Sequence, residues 1–474
     1  MTTTPPGHAA ETAHAAETAG YRPGLSNRHI QMIALGGALG TGLFLGAGGR
    51  LEAGGPGLAI VYAVCGAIGY LMLRSLGEMV VHRPTSGSFT SYSREFLGDG
   101  AAFFAGWVYF LAWVTVGIAE LTAIAVYLDF WPVFRDVPQW VLVAAALAVV
   151  VGLNLLGVRV FGEAEFWFSF VKVSALVVFM LVGMWFVVTG TPVDGHDPGV
   201  ATLTEGGGWF PNGVLPLVVM TQGVVFAYAG IDMIGVTAGE TGDPRTEIPK
   251  AIGKTVWRIV VFYVGSVFLL ALLLPASAYS GGESPFVTFM NAIGVPYAAD
   301  VMNLVVLTAA LSSVNAGLYA TARILKPLAH SGSAPRFLGT MSRRGVPMGG
   351  VWLTTAMFVL GVVLNYVVPE AAFEVVLNMG ALAILAMWTM ICLAHLGYLH
   401  AAKRGRLVRH GYRAPLGAAG DVIVLIFLLG VAVLMGLDHP VGSRTLLWSL
   451  VILAPAFAVG WAIIRRRSRP AAPA

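Results

Sequence analysis

Long apolar stretches recur along the chain, separated by short segments that hold most of its charges and prolines. A membrane-crossing helix needs about 20 mainly apolar residues. Twelve such runs lie near 30–49, 57–80, 98–128, 138–158, 165–189, 213–238, 255–276, 296–325, 349–368, 371–399, 418–437 and 445–465. The third, eighth and tenth are long enough to tilt or to extend beyond the bilayer. None shows the ten-residue alternation of a membrane β-barrel, so the pattern predicts an all-α integral membrane protein of twelve transmembrane helices. Residues 1–25 have no apolar core and read as a disordered tail rather than a signal peptide. Residues 466–474 form a second short tail after a single domain over 26–465.

The distribution of basic residues orients these spans. With twelve crossings both termini share one side, and that side with the even-numbered loops holds 24 of the 28 lysines and arginines. Arg50, Arg135 and Arg444 are on the other side, and Lys172 lies inside a span. Cationic loops stay cytoplasmic, so both termini are expected there, in a plasma-membrane protein. The opposite loops are acidic, with Asp194, Asp197, Glu205, Glu283, Glu370 and Glu374.

Composition narrows the function. Of 474 residues, 57% are hydrophobic, 59 are glycine and 11% are charged, against about 25% charged in a soluble domain. Mean hydropathy is +0.79. Such a chain lacks the polar residues to cover a soluble surface. That excludes a soluble enzyme, a nucleic-acid binder and a disordered chain. Cys65 and Cys392 each sit in an apolar run, which argues against a disulfide framework or thiolate metal site. The sequence has no nucleophile motif, HExxH spacing or paired catalytic carboxylates. No metal, cofactor or enzymatic activity is expected; the partners expected are a small solute and membrane lipids.

Two spans carry interruptions. The first contains Gly36-Gly37-Ala38-Leu39-Gly40-Thr41-Gly42, and each interior glycine costs a helix about 1 kcal/mol relative to alanine. Close packing through small residues does not require such a cluster, whereas a broken helix does. The sixth contains Phe226-Ala227-Tyr228-Ala229-Gly230-Ile231-Asp232. A mid-span acid costs about 2.5–3.5 kcal/mol on insertion scales and marks a functional candidate. Interruptions five spans apart suit an inverted repeat. A helix that resumes after a break offers free N–H groups and a positive dipole end to a carboxylate. Unwound carbonyls accept from an ammonium. Together they suit an amino acid zwitterion.

Other charges lie within the spans. Lys172 follows Trp167, Phe168 and Phe170 and has no acid within four residues on its helix. It is read as a buried functional cation rather than one snorkelling to an interface. Glu120, mid-way along the third span, fits a pocket wall, a proton acceptor or a structural pair. Glu78 and Glu240 sit near cytoplasmic ends beside Arg74, Arg83 and Arg245, where a salt bridge or gate is expected. Ser312, Ser313 and Asn315 would hydrogen-bond a polar solute or a neighbouring helix.

These residues carry a family resemblance. IALGGALGTGLFLGAG (33–48), LRSLGEM (73–79), AEFWFSFVKV (164–173), FAYAGIDMIGVTAGE (226–240) and LSSVNAGLYATARIL (311–325) resemble the amino acid–polyamine–organocation superfamily, in its bacterial amino acid transporter branch. The likeness covers about 25–465. Within that branch VFGEAEFWF (160–168) and the block 262–296 are most similar to members that carry L-asparagine.

The resemblance implies a LeuT-like 5+5 inverted repeat with broken helices 1 and 6. The repeats would span about 30–189 and 213–399, with two extra spans over 418–465. It implies proton-coupled uptake of an amino acid, L-asparagine first, by alternating access. Another neutral or aromatic amino acid, γ-aminobutyrate, exchange, or a sensor on the same scaffold are the alternatives. Backbone at Gly40, Thr41 and Gly42 would hold the substrate carboxylate. Carbonyls of Ala38, Phe226, Ala227 and Ala229 would hold the amino group, with Phe226 as an aromatic lid and Glu120 in the pocket. Asp232 stands where the family has glutamate, one methylene longer, which alters its reach as a pocket or gating group. Lys172 would occupy the cation position of sodium-coupled relatives, against first-span carbonyls, and couple transport to protons.

Overall fold

A computed structural model describes residues 28, 29, 32, 39–85, 87–204, 207–238, 243–343 and 345–467. Ala38 and Glu240 lie outside the described residues. Within them the chain is helical and holds no β-strand beyond two isolated bridges. The first span resumes as α1 (Thr41–Phe44) and α2 (Gly46–Gly54), and a turn at Gly55–Gly57 leads to α3 (Leu58–His82). A short α4 (Ser88–Leu97) precedes the long α5 (Asp99–Asp129). Next come α6 (Gln139–Leu155), α7 (Val158–Thr189) and the interrupted pieces α8 (Val214–Val219), α9 (Thr221–Ala227) and α10 (Met233–Thr237). α11 (Pro244–Arg258) runs through a π-helical turn into α12 (Ser266–Leu273), followed by α13 (Pro285–Ala292) and α14 (Ala298–His330). The chain ends with α15 (Met348–Val367), α16 (Pro369–Lys403), α17 (Ala418–Leu437), α18 (Val441–Trp448) and α19 (Ala454–Arg467).

Local chemistry marks many of these boundaries. α7 starts after Gly157 (φ +113°) and stops at Gly190 (φ +62°). α5 follows Gly98 (φ +101°) with Asp99 in its first turn, where the helix dipole favours an anion. Pro244, Pro285 and Pro369 each open a helix, where a missing N–H costs nothing.

Among the described residues, nine helices are long and apolar enough to cross a membrane: Thr41–His82, Asp99–Asp129, Val158–Thr189, Pro244–Leu273, Ala298–His330, Met348–Val367, Ala372–Lys403, Ala418–Leu437 and Val441–Arg465. The first of these contains residues from two of the twelve hydrophobic runs. Gln139–Leu155 and Val214–Ala227 are apolar but shorter. Hydropathy alone does not see the turn at Leu156 or the loss of helix after Ala227, which shorten these two.

The interior forms around α5, which packs along α14 and α16. All three are apolar on most faces, as expected of helices enclosed by others. α7, α15, α17 and the last helices turn Leu181, Trp185, Leu360, Leu429 and Ile452 outward. A large apolar exterior of this kind is the surface that a lipid bilayer covers.

Candidate functional site

The two predicted interruptions meet in space. In the first, α1 begins after Gly40, whose backbone is extended (φ −119°, ψ −165°). In the second, α9 ends at Ala227 and five non-helical residues, 228–232, precede α10. Gly230 there has φ +87°, a conformation that costs glycine little. A Cβ on Gly42 would lie 2.5 Å from Ala227 Cα and 3.0 Å from its nitrogen, so the two backbones are in contact. The Tyr228 hydroxyl donates to Tyr62 O (2.7 Å), and the Tyr62 hydroxyl donates to Gly42 O (3.3 Å). Tyr228 also stacks on Tyr263 at 4.6 Å. The tyrosines pin one break to the other.

Beside this contact is a cavity of about 10 Å³ lined by Gly40, Gly42, Glu120, Phe226, Ala227 and Ala229, together with Trp113, Val116 and Ser313. It has room for about one water. Six of the predicted site residues therefore share one cavity. Trp113 and Val116 were not anticipated; both lie on α5 within two turns of Glu120 and face the same side. The Phe226 ring lies against Gly380 of α16 and next to the Thr115 hydroxyl.

Glu120 has a specific task here. The Thr41 N–H donates to both of its oxygens, at 3.1 Å to Oε1 and 3.3 Å to Oε2. A carboxylate thus satisfies an otherwise free donor at the start of the resumed helix. The Ser313 hydroxyl lines the cavity beside the same carboxylate. A Cβ on Gly40 would run into Glu120 and lie 2.8 Å from Ser313 Oγ. The position expected to receive a substrate carboxylate is held by the protein's own.

Asp232 is 1% exposed and does not line this cavity. It sits beside the buried Tyr109, and among the described residues neither of its oxygens makes a hydrogen bond within normal limits.

Lys172 anchors a second cluster. Its Nζ donates to Ser312 Oγ (2.9 Å), and Ser312 Oγ donates to Glu165 Oε1 (2.6 Å). Asn315 Nδ2 donates to Glu165 Oε2 (3.4 Å), and Asn154 Nδ2 to Asn315 Oδ1 (2.7 Å). Lys172, Glu165, Ser312 and Asn315 are fully buried. Glu165 is the acid that a four-residue window around Lys172 misses. It lies seven residues earlier, and seven residues are close to two helical turns, so both side chains share one face. Ser312 and Ser313 are adjacent on α14, one facing the lysine cluster and the other Glu120. The expected first-span carbonyl partners of Lys172 fall partly outside the described residues.

A third buried cluster closes the end of the bundle that holds the basic loops. Glu78 on α3 takes Arg409 Nε (2.7 Å) and the Ala414 N–H (2.7 Å). His395 on α16 stands between two carboxylates, with Nε2 3.3 Å from Glu78 Oε2 and Nδ1 2.7 Å from Asp421 Oδ2. Ser75 Oγ donates to Asp421 Oδ1 (2.7 Å). Sequence neighbours suggested Arg74 and Arg83 as partners of Glu78. Instead Arg83 binds Glu95 and Arg74 donates to Arg413 O. Among the described residues, no group of three His, Cys, Asp or Glu side chains is arranged to hold a metal ion.

Comparison with known proteins gives the family. A family model described as amino acid permease matches residues 29–472. An L-asparagine permease of Streptomyces coelicolor is 53% identical over 453 residues, 95% of this chain and 92% of the relative. One of Salmonella typhimurium is 50% identical over 448 residues, 94% and 90% of the two chains. The L-asparagine permease 1 of Mycobacterium tuberculosis is 52% identical over 451 residues, 95% and 92%.

Proposed function

The chain belongs to the amino acid permease family, and on that footing we propose that it takes up L-asparagine across the plasma membrane by alternating access, driven by protons. Membership makes it a multi-pass membrane transporter of an amino acid rather than an enzyme. The asparagine assignment draws on relatives of that name at 50–53% identity over most of both chains. The observation that carries the binding mode is the contact of the two helix breaks around one cavity.

The substrate carboxylate takes the Thr41 N–H and the backbone at Gly40 and Gly42. Its ammonium donates to carbonyls of Ala38, Phe226, Ala227 and Ala229. Glu120 then has to leave the N–H or take a proton, because two carboxylates at one donor repel. Arrival of substrate and a change in the protonation or position of Glu120 are therefore one event. Phe226 covers the bound solute, and Asp232 responds to the rearrangement of the second break from behind the cavity. Lys172 carries the coupled proton. One charge crossing 100 mV gains about 2.3 kcal/mol, enough for roughly fifty-fold accumulation of a neutral zwitterion at 1.4 kcal/mol per decade.

The same reading places twelve spans in a single domain over 26–465, with repeats over about 30–189 and 213–399 and both termini in the cytoplasm. It is supported by the helical character of the hydrophobic runs where described, by interruptions in runs one and six, and by the basic bias of the even loops. Membrane lipids cover the apolar exterior. Competition against labelled asparagine uptake tests the substrate. Asparagine should be the strongest competitor among neutral and aromatic amino acids and γ-aminobutyrate; a stronger competitor would replace it.

A further inference from the structure

We infer that Glu165 is the acceptor that takes the proton from Lys172 and releases it toward the cytoplasm, with the Ser312 hydroxyl as the bridge. The inference rests on proton coupling through Lys172 as proposed above. Nothing in that reading requires a buried acid two turns along the same helix face, yet one is present and hydrogen-bonded into line: ammonium to hydroxyl at 2.9 Å, hydroxyl to carboxylate at 2.6 Å. Both distances suit proton transfer without rearrangement of heavy atoms. A merely neutralising counter-ion would need no intervening hydroxyl.

The order along the helices gives the path a direction. Glu165 is about 10 Å nearer than Lys172 to the start of α7, at 1.5 Å per residue, and Arg159 stands in the first turn of that helix. One turn further, Phe161 stacks on Tyr319 at 4.0 Å with planes 6° apart, and the Arg323 guanidinium lies over the Tyr319 ring. This stack separates Glu165 from the basic end of the bundle. A carboxyl group directly behind such a plug meets water when the plug opens and is shielded when it closes. Ser169, between Glu165 and Lys172 on α7, has a buried hydroxyl with no hydrogen-bond partner within normal limits among the described residues. It offers a second stepping point on the same face.

The transfer balances. The Lys172 ammonium gives one proton to the Ser312 oxygen while the Ser312 hydroxyl proton passes to the Glu165 carboxylate. That leaves a neutral amine, an intact hydroxyl and a neutral acid, with the net charge of the cluster unchanged. Glu165 then gives its proton to cytoplasmic water and returns to the carboxylate. The other charged groups acting on Lys172 are Glu120 from α5 and Arg258 at the end of α11. Asn154 from α6 and Asn315 from α14 complete the surroundings of Glu165 with neutral amides.

The test uses full-length protein in proteoliposomes with an inward gradient of about one pH unit, which supports up to about tenfold accumulation for one proton per solute. Glu165→Gln keeps the shape and the hydrogen-bonding capacity. It should bring gradient-driven asparagine accumulation down to an inside-to-outside ratio near one and abolish asparagine-evoked internal acidification. Counterflow exchange, which needs no net proton movement, should fall far less. Ser312→Ala should lose accumulation in the same selective way, and Ser312→Thr, which keeps a hydroxyl, should retain most of it. This pair reads the relay even where Glu165→Gln does not fold. Accumulation by Glu165→Gln equal to that of the wild type overturns the role of Glu165 alone, as does equal accumulation by Ser312→Ala and wild type. A wild-type protein that accumulates nothing under the gradient overturns proton coupling itself.

Discussion

Replacing Gly42 with alanine perturbs a point where the two helix breaks touch. The added methyl carbon would stand 2.5 Å from Ala227 Cα, 3.0 Å from its nitrogen and 3.1 Å from its Cβ. Carbon atoms pack at about 3.5–4.0 Å, so the breaks would have to separate by about 1 Å. Neither side yields easily. The obstructing atoms include backbone, and the second break is tied back by the Tyr228–Tyr62 and Tyr62–Gly42 hydrogen bonds. Overpacking of this kind costs about 1–3 kcal/mol. Charged to the closed substrate-bound form, that is about a 5–150-fold rise in KM for asparagine at 1.4 kcal/mol per decade. The control is Gly152→Ala in α6, where a Cβ meets nothing within 4 Å. It should leave KM within twofold and hold or slightly raise thermal stability. Initial uptake rates across asparagine concentrations, with Tm of the purified protein, measure both effects. A Gly42→Ala protein with wild-type KM and Tm would refute the claim that the breaks form the site by direct backbone contact.

Three further outcomes are expected. Phe226→Ala removes a ring packed against Gly380, a change worth about 3–5 kcal/mol in a filled interior, and should cut asparagine uptake at low concentration at least tenfold; full uptake would remove Phe226 from the site. Glu120→Ala leaves the buried Thr41 N–H without its acceptor, at about 1–3 kcal/mol. Glu120→Gln restores an acceptor and should recover most of that loss in Tm, so equal Tm for the two would contradict the capping role. His395→Leu takes away the group between Glu78 and Asp421 and leaves two buried carboxylates without it. Breaking a buried ionic cluster costs about 3–5 kcal/mol, and Tm should fall clearly, whereas an unchanged Tm would show that the cluster does not hold the bundle end together.

Features written in one stretch of chain were legible before the structure was known. The glycine cluster around Gly40 and Gly42 signalled a helix that does not run through, and Phe226–Asp232 did the same in the sixth run. Residues of both line one cavity. Lys172 was conspicuous because a lysine amid aromatic residues has no local reason to be there. Features made by long-range contact were not legible. Glu78 pairs with Arg409 and His395, more than 300 residues away, while the arginines near it in sequence turn elsewhere. The engagement of Thr41 by Glu120 joins positions 79 apart, and hydropathy gives no hint of it. Glu165 belongs to a third kind: it was visible at a two-turn spacing from Lys172, but a search confined to one turn passes over it. The run at 213–238 reads as one interrupted span, and its helix does break at 228–232, inside the stretch that signalled the interruption.

The central claim is that the joined breaks bind L-asparagine and that proton entry drives its accumulation. Its most direct measurement is uptake of labelled L-asparagine by the purified, reconstituted protein under an inward proton gradient, without sodium and without internal amino acid. The account predicts accumulation well above equilibrium that collapses when a protonophore is added. Uptake that stops at equal concentrations on both sides, or that needs internal amino acid to proceed, would contradict it.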